Sequence, residues 1–255
     1  MTNLKGKSAI VTGGASGIGQ AVSKRLSDEG VSVVIGDIEQ EAGRSTASSI
    51  GGEFVLTDLT DSIACQALVD QTVQRNGGVD ILVNNAGFQH VAAIDEFPLD
   101  KWHSMISVML TAPFLLTKFA WPHMKRQNWG RIVNMASIHA QVASPYKSAY
   151  VSAKHGLLGL TRTTALEGAE FGITVNALCP AYVRTPLVEK QIADQAAIRK
   201  IAPEQVVEDV MLGPAAIKRL IEPTEIAEAV TYLCGSAAAS ITGSAWSMDL
   251  GWTAR

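Results

Sequence analysis

The sequence predicts an α/β fold: one doubly wound parallel sheet with helices on both faces and a helical insertion before the last strand. Three observations lead there. Short Val- and Ile-rich runs alternate with longer helical patterns along all 255 residues. A glycine-rich stretch, Thr12-Gly13-Gly14-Ala15-Ser16-Gly17-Ile18-Gly19, joins the first such run to the first helical pattern. A long segment, 186–223, breaks the rhythm just before the final run and carries Pro203 and the pair Gly213-Pro214.

The strand-like runs are 8–12, 31–36, 53–56, 79–83, 131–135, 173–178 and 245–248. Several are apolar without clean alternation, as strands covered on both faces are. Helices between them imply β-α-β units with right-handed crossovers. With 47% hydrophobic and 18% charged residues, the chain can fill one core, so we expect a single domain over 1–255. Ligands of such sheets bind beyond the carboxyl ends of the strands. The insertion 186–223 follows the sixth strand and is therefore expected to act as a substrate loop or lid.

Composition excludes several classes. The net charge is -3 and no Lys/Arg stripe is present, which argues against nucleic acid. The start, Met1 to Lys7, is polar, and no uninterrupted apolar run has the length of a bilayer span. Cys65, Cys179 and Cys234 are far apart and not in metal-ligand spacing, so three reduced thiols and no metal are expected. A cytoplasmic protein with no membrane partner is the expectation.

The glycines of 13–19 allow a sharp turn and close approach to a pyrophosphate, and the following helix offers free N–H groups. The position between strand and helix raises its weight as a dinucleotide site. Asp37 ends the second run, roughly 20 residues on, where a carboxylate can accept from ribose hydroxyls and repel a 2′-phosphate. NAD is thereby favoured, while a strand-end Asp that starts a turn is the alternative. Asp58, after the third run, either meets the adenine or caps the next helix.

Tyr150 and Lys154 are four apart, on one face if helical. A phenol titrates near 10, so service as a base near neutrality asks for roughly 3 decades, about 4 kcal/mol. A neighbouring ammonium favours the phenolate. The ordinary alternative is an amphipathic pair, with Tyr packed and Lys solvated. Together, the glycine loop, Asn84-Asn85-Ala86-Gly87, Ser137 and Tyr150-x-x-x-Lys154 resemble the short-chain dehydrogenase/reductase family from end to end, with its Rossmann-like fold. The resemblance implies that Tyr150 takes the alcohol proton, Ser137 holds the substrate oxygen, and Lys154 also meets the nicotinamide ribose. It further implies cofactor contacts from Gly13, Ser16, Gly17, Ile18 and Gly19, from Asn85 and Gly87, and from Pro180, Val183 and Thr185.

Segments 84–90, 135–139, 147–156, 179–191 and 241–255 are similar to the bacterial D-3-hydroxybutyrate dehydrogenases, with less likeness over 40–75 and 192–221. That resemblance implies a substrate carboxylate held by Gln89, His139, Lys147 and Gln191. His139 is two residues past Ser137, so in extended chain both point the same way; Lys147 precedes Tyr150 by three, adjacent if the helix begins that early. Each also has an ordinary reading: Lys147 solvated, His139 bonded within a loop, the glutamines on the surface. Met109 stands where the family has an asparagine that anchors a proton-relay water. Tyr182 replaces a tryptophan, and Ala181 and Leu250 replace glycines. The expected activity is NAD-dependent interconversion of (R)-3-hydroxybutyrate and acetoacetate. Hydride transfer on another hydroxy acid or a sugar-derived alcohol is the alternative, as is a catalytically impaired nicotinamide-binding sensor or scaffold. The family implies a homotetramer, with residues 251–255 near a subunit contact.

Overall fold

A computed structural model describes residues 2–254, the side chain of Ile198 excepted; Arg255 of the expected subunit contact lies outside the described residues. Seven strands form one parallel sheet in the order β3-β2-β1-β4-β5-β6-β7. They are β1 (Ser8–Thr12), β2 (Ser32–Asp37), β3 (Glu53–Leu56), β4 (Ile81–Asn84), β5 (Gly130–Met135), β6 (Ile173–Pro180) and β7 (Ala245–Met248). The observed bounds move β2 one residue on, start β4 later and carry β6 on to Pro180, so Asp37 is the last residue of β2 and pairs with Leu56.

The apolar runs divide by the period of two between two covered faces. Ala9, Val11, Ile35, Val83 and Val133 face α1 (Gly17–Asp28) and α9 (Pro223–Cys234), meeting Val22, Leu26, Ile226 and Val230. Ile10, Val34, Leu82, Ile132 and Val175 face the other way. They meet Leu68 and Val69 of α3 (Ser62–Asn76), Leu116 and Met124 of α5 (Ala112–Arg126), and Ala165 of α6 (Ser148–Gly168). Burial on both sides is why these strands lack a polar face. The helix α2 (Gln40–Ser49) follows β2.

The helix α4 (Leu99–Ile106), a π-helical turn Ser107–Thr111 and α5 run on without a break. The whole stretch Leu99–Arg126 is long and apolar enough by composition to cross a membrane. Here it is a packed element: Leu116, Ala120 and Met124 are fully buried against the sheet.

Segment 186–223 is helical at its start, with α7 (Pro186–Arg199), then a short α8 (Pro203–Gln205) and a π-helical turn Val206–Met211. Thr185 caps α7 by accepting from the Val188 N–H. The segment has a small core of its own, in which Val188, Val206 and Met211 pack on Tyr182. It is tied down at its ends: Ile221 N–H donates to the Tyr182 carbonyl at 3.0 Å, and Ala216 N–H to the Leu250 carbonyl at 2.8 Å. Leu250, at the expected glycine position, holds φ 58°, the left-handed region that glycine adopts freely.

Candidate active site

β1 and β4 are neighbours, while the chain leaves them toward opposite flanks of the sheet, so their outgoing loops part and leave a crevice at the carboxyl edge. A cleft of about 580 Å³ opens there. Gly13 (φ 65°) lies so near the β4 loop that a Cβ would stand 2.8 Å from Ala86 Cα. Gly19 is behind the cleft rather than on its wall, and a Cβ there would stand 2.1 Å from the Gly13 carbonyl oxygen. The two loops are latched by Asn85, whose Nδ2 donates to the carbonyls of Thr12 at 2.9 Å and Gly13 at 3.1 Å.

Ser16, Gly17 and Ile18 line the cleft at the start of α1, where first-turn N–H groups have no intrahelical acceptor. Asp37 faces the same space and does turn-making work besides: Oδ2 accepts from Ala15 N–H at 2.9 Å and Oδ1 from Glu39 N–H at 3.1 Å. Asp58 is exposed at the rim, its Oδ1 accepting from the N–H and hydroxyl of Thr60, which holds the carboxyl below its usual range. It makes the turn before α3, while Asp61 caps that helix. Gly87, Pro180, Val183 and Thr185 complete the wall. The length of the cleft, its small-residue floor and its helix N-terminus fit a dinucleotide.

At the far end, Ser137 follows β5 and is buried. The chain turns here instead of staying extended: Ser137 Oγ accepts from His139 N–H at 3.1 Å and starts a 3₁₀ turn, Ile138–Ala140. His139 still lines the cleft, because the turn, not strand alternation, points it inward. Tyr150 is half-buried on the first turn of α6, beside Ser137. Lys154, one turn on, is buried, and its Nζ donates to the Met135 carbonyl at 2.6 Å and lies 5.5 Å from the Tyr150 ring centre. Burial pushes the Tyr150 phenol above its ordinary value, against the pull of Ser137. Burial also brings Lys154 down to about 8. One of the Lys154 N–H groups is thus held at a carbonyl one turn from the phenol.

Lys147 is not in the helix. It is the residue before α6, with φ -124° and ψ 36°, and its carbonyl accepts from Val151 N–H. Only 3% exposed, it sends Nζ to His139 Nε2 at 3.4 Å and to Tyr182 Oη at 3.3 Å. Burial, then Lys147, pushes His139 down to about 4; burial, then Arg199, brings Lys147 down to about 8. Gln191, on α7, is buried on the cleft wall, and Gln89 joins it from the β4 loop, its Oε1 accepting from His90 N–H. The solvated-lysine and surface-glutamine alternatives are thus excluded for Lys147 and Gln191.

Three further residues neighbour this pole. Trp252 sets its ring edge-on to His139 with centres 6.2 Å apart, and its Nε1 is buried without a partner among the described residues. Gln195, one turn past Gln191, is buried beside Tyr182 with Nε2 unpartnered. Tyr182 reaches Lys147 across 35 residues of chain. Met109 is 1% exposed inside the π-helical turn, packed with Met105, Ala149 and Ala153 beneath Tyr150. Among the described residues, no group of three or more His, Cys, Asp or Glu side chains could hold a metal, and the three cysteines are free and buried.

Comparison with known proteins agrees with this arrangement. Residues 7–196 match the short chain dehydrogenase family. A D-beta-hydroxybutyrate dehydrogenase of Rhizobium meliloti is 46% identical, covering 98% of this chain and 99% of its own. One of Cupriavidus necator is 40% identical over 99% and 100%. An uncharacterized oxidoreductase of Bacillus subtilis is 45% identical over 97% and 98%, so likeness at this level does not select one substrate. With the family match spanning most of the chain and these relatives aligned nearly end to end, the chain belongs to the short-chain dehydrogenase/reductase family.

Proposed function

We propose that this oxidoreductase interconverts (R)-3-hydroxybutyrate and acetoacetate with NAD. Short-chain dehydrogenases use NAD or NADP and act on small molecules. The observation that carries the substrate is Lys147: a 3% exposed ammonium with no carboxylate partner among the described residues, at the end of the cleft beyond Tyr150. A buried charge without a counter-ion is costly, and a small anionic ligand would supply one. Gln89, His139 and Gln191 surround the same spot and serve the carboxylate.

The glycine loop and the start of α1 hold the pyrophosphate, and Asp37, with lone pairs left beyond its two backbone bonds, takes the ribose hydroxyls. Gly87, Asn85, Pro180, Val183 and Thr185 frame the nicotinamide half, and Asp58 the adenine end. When bound, the oxidised nicotinamide supplies a hydride acceptor and a positive charge beside the phenol. Ser137 holds the substrate oxygen; Tyr150 removes its proton as the C–H hydride departs and the carbonyl forms. Lys154, tied to Met135, fixes the ribose and adds its charge. Residues 186–223 cover the substrate end, and the chain works as one domain in a homotetramer.

Initial rates of NADH formation test this. The panel is (R)- and (S)-3-hydroxybutyrate, other hydroxy acids, the methyl ester and polyols, each with NAD and NADP. The R acid with NAD should lead. Preference for the ester or a polyol would overturn the assignment.

A further inference from the structure

One group at the anion pole has no role in the reaction as described: the phenol of Tyr182. We propose that the Tyr182 hydroxyl donates directly to the substrate carboxylate alongside Lys147, which His139 helps to hold by accepting from it. The proposal rests on the hydroxy-acid reading above and states how that acid is held.

Hydrogens can be counted around the pole. His139 Nδ1 faces the Val142 carbonyl at 3.4 Å, and a carbonyl only accepts, so Nδ1 carries the ring hydrogen. Nε2 then presents a lone pair, and its neighbour at 3.4 Å is the Lys147 ammonium, which only donates. Of the three Lys147 hydrogens, one goes to His139 and one to Tyr182 Oη, leaving one for the cleft.

Tyr182 is the converse case. Its oxygen accepts at 3.3 Å from the Lys147 ammonium, which can only donate. The phenol's own hydrogen is therefore directed elsewhere, and Tyr182 Oη donates no hydrogen bond among the described residues. Tyr182 lines the cleft, so that hydrogen is available to a ligand. Burial pushes this phenol up to about 12, so it stays protonated wherever the enzyme works. Two donor atoms 3.3 Å apart, each with one free hydrogen, match one carboxylate group.

Tyr182→Phe tests this, since it keeps the ring that packs on Val188, Val206 and Met211. Binding of (R)-3-hydroxybutyrate to the non-productive enzyme–NADH complex is read from NADH fluorescence, beside KM and kcat in the oxidative direction. Affinity for the acid should fall roughly ten- to hundredfold, as for a hydrogen bond to a charged group. The loss should sit in KM far more than in kcat, with NADH affinity unchanged and turnover of the methyl ester equal to the parent's. His139→Gln, which keeps an acceptor, should retain more acid affinity than His139→Leu. If Tyr182→Phe binds the acid as tightly as the parent, the hydroxyl is spent within the protein and the proposal fails alone. If the parent itself prefers neutral alcohols to every hydroxy acid, the functional reading and this inference fall together.

Discussion

Replacing Lys147 by Met should make the unliganded protein more stable at neutral pH while abolishing its use of hydroxy acids. The ammonium is 3% exposed, and burial brings its pKa from 10.5 to about 8. At about 1.4 kcal/mol per decade, that difference is a folding cost of about 3 kcal/mol. Below pH 8, folded and unfolded chains both hold the proton and the cost is paid in full. As pH rises from 8 toward 10.5 the folded chain releases it first, the unfolded chain binds more protons, and the parent gains stability. Methionine removes the charge and also two hydrogen bonds, to His139 and Tyr182, together about 1–2 kcal/mol. The variant should therefore melt a few degrees higher at pH 7, on the scale of about 2–4 °C per kcal/mol. That advantage should shrink with pH and reverse near about pH 9.5. Lys154 titrates over the same range but is present in both proteins, so it cancels in the difference. Thermal unfolding of both proteins without cofactor, from pH 6 to 10, measures this. A difference in Tm that stays flat across this range would refute the argument that a buried charge is held there at the expense of stability.

Tyr150→Phe removes only the hydroxyl, so NADH affinity should persist while turnover collapses. In the parent, oxidation should accelerate with rising pH, because it needs the phenolate, and ketone reduction should slow; parental turnover by the variant in rate assays would rule the base out. Asp37→Ala should narrow the preference for NAD over NADP in kcat/KM, and should also lower Tm, since the carboxylate holds Ala15 and Glu39 N–H groups. Equal use of both cofactors by the parent would contradict the ribose role. Met109→Asn places an amide among Met105, Ala149 and Ala153, at a stability cost of about 1–3 kcal/mol read by thermal melts. Its turnover should rise or stay level with NADH affinity constant; a large loss with the fold intact would show a pocket rebuilt around the thioether.

Much of the fold could be read from local pattern. The five inner strands stand where apolar β-branched runs predict them, because a strand covered on both faces leaves its signature in consecutive residues; the part-exposed edge strands β3 and β7 also stand within the predicted ranges. The glycine loop, Asp37, Asn85, Tyr150 and Lys154 were legible for a similar reason: each lies at a strand end or at a helical spacing that one turn of chain specifies. Local pattern therefore carries the frame, the family likeness and the candidate reacting groups. Tertiary structure decided the rest. His139 enters the cleft through a 3₁₀ turn and not an extended strand, because Ser137 captures its N–H. Lys147 stops short of the helix, and its partners His139 and Tyr182 come from the β5 loop and the end of β6, at separations no periodicity encodes. Gln195 and Trp252 arrive from the insertion and the last loop. The direction of each pKa likewise follows from desolvation, which depends on how the whole chain closes around a group: burial raises Tyr150, lowers Lys154 and keeps His139 neutral. Residue spacing names the charged groups, whereas only the assembled fold sets how much water each one loses.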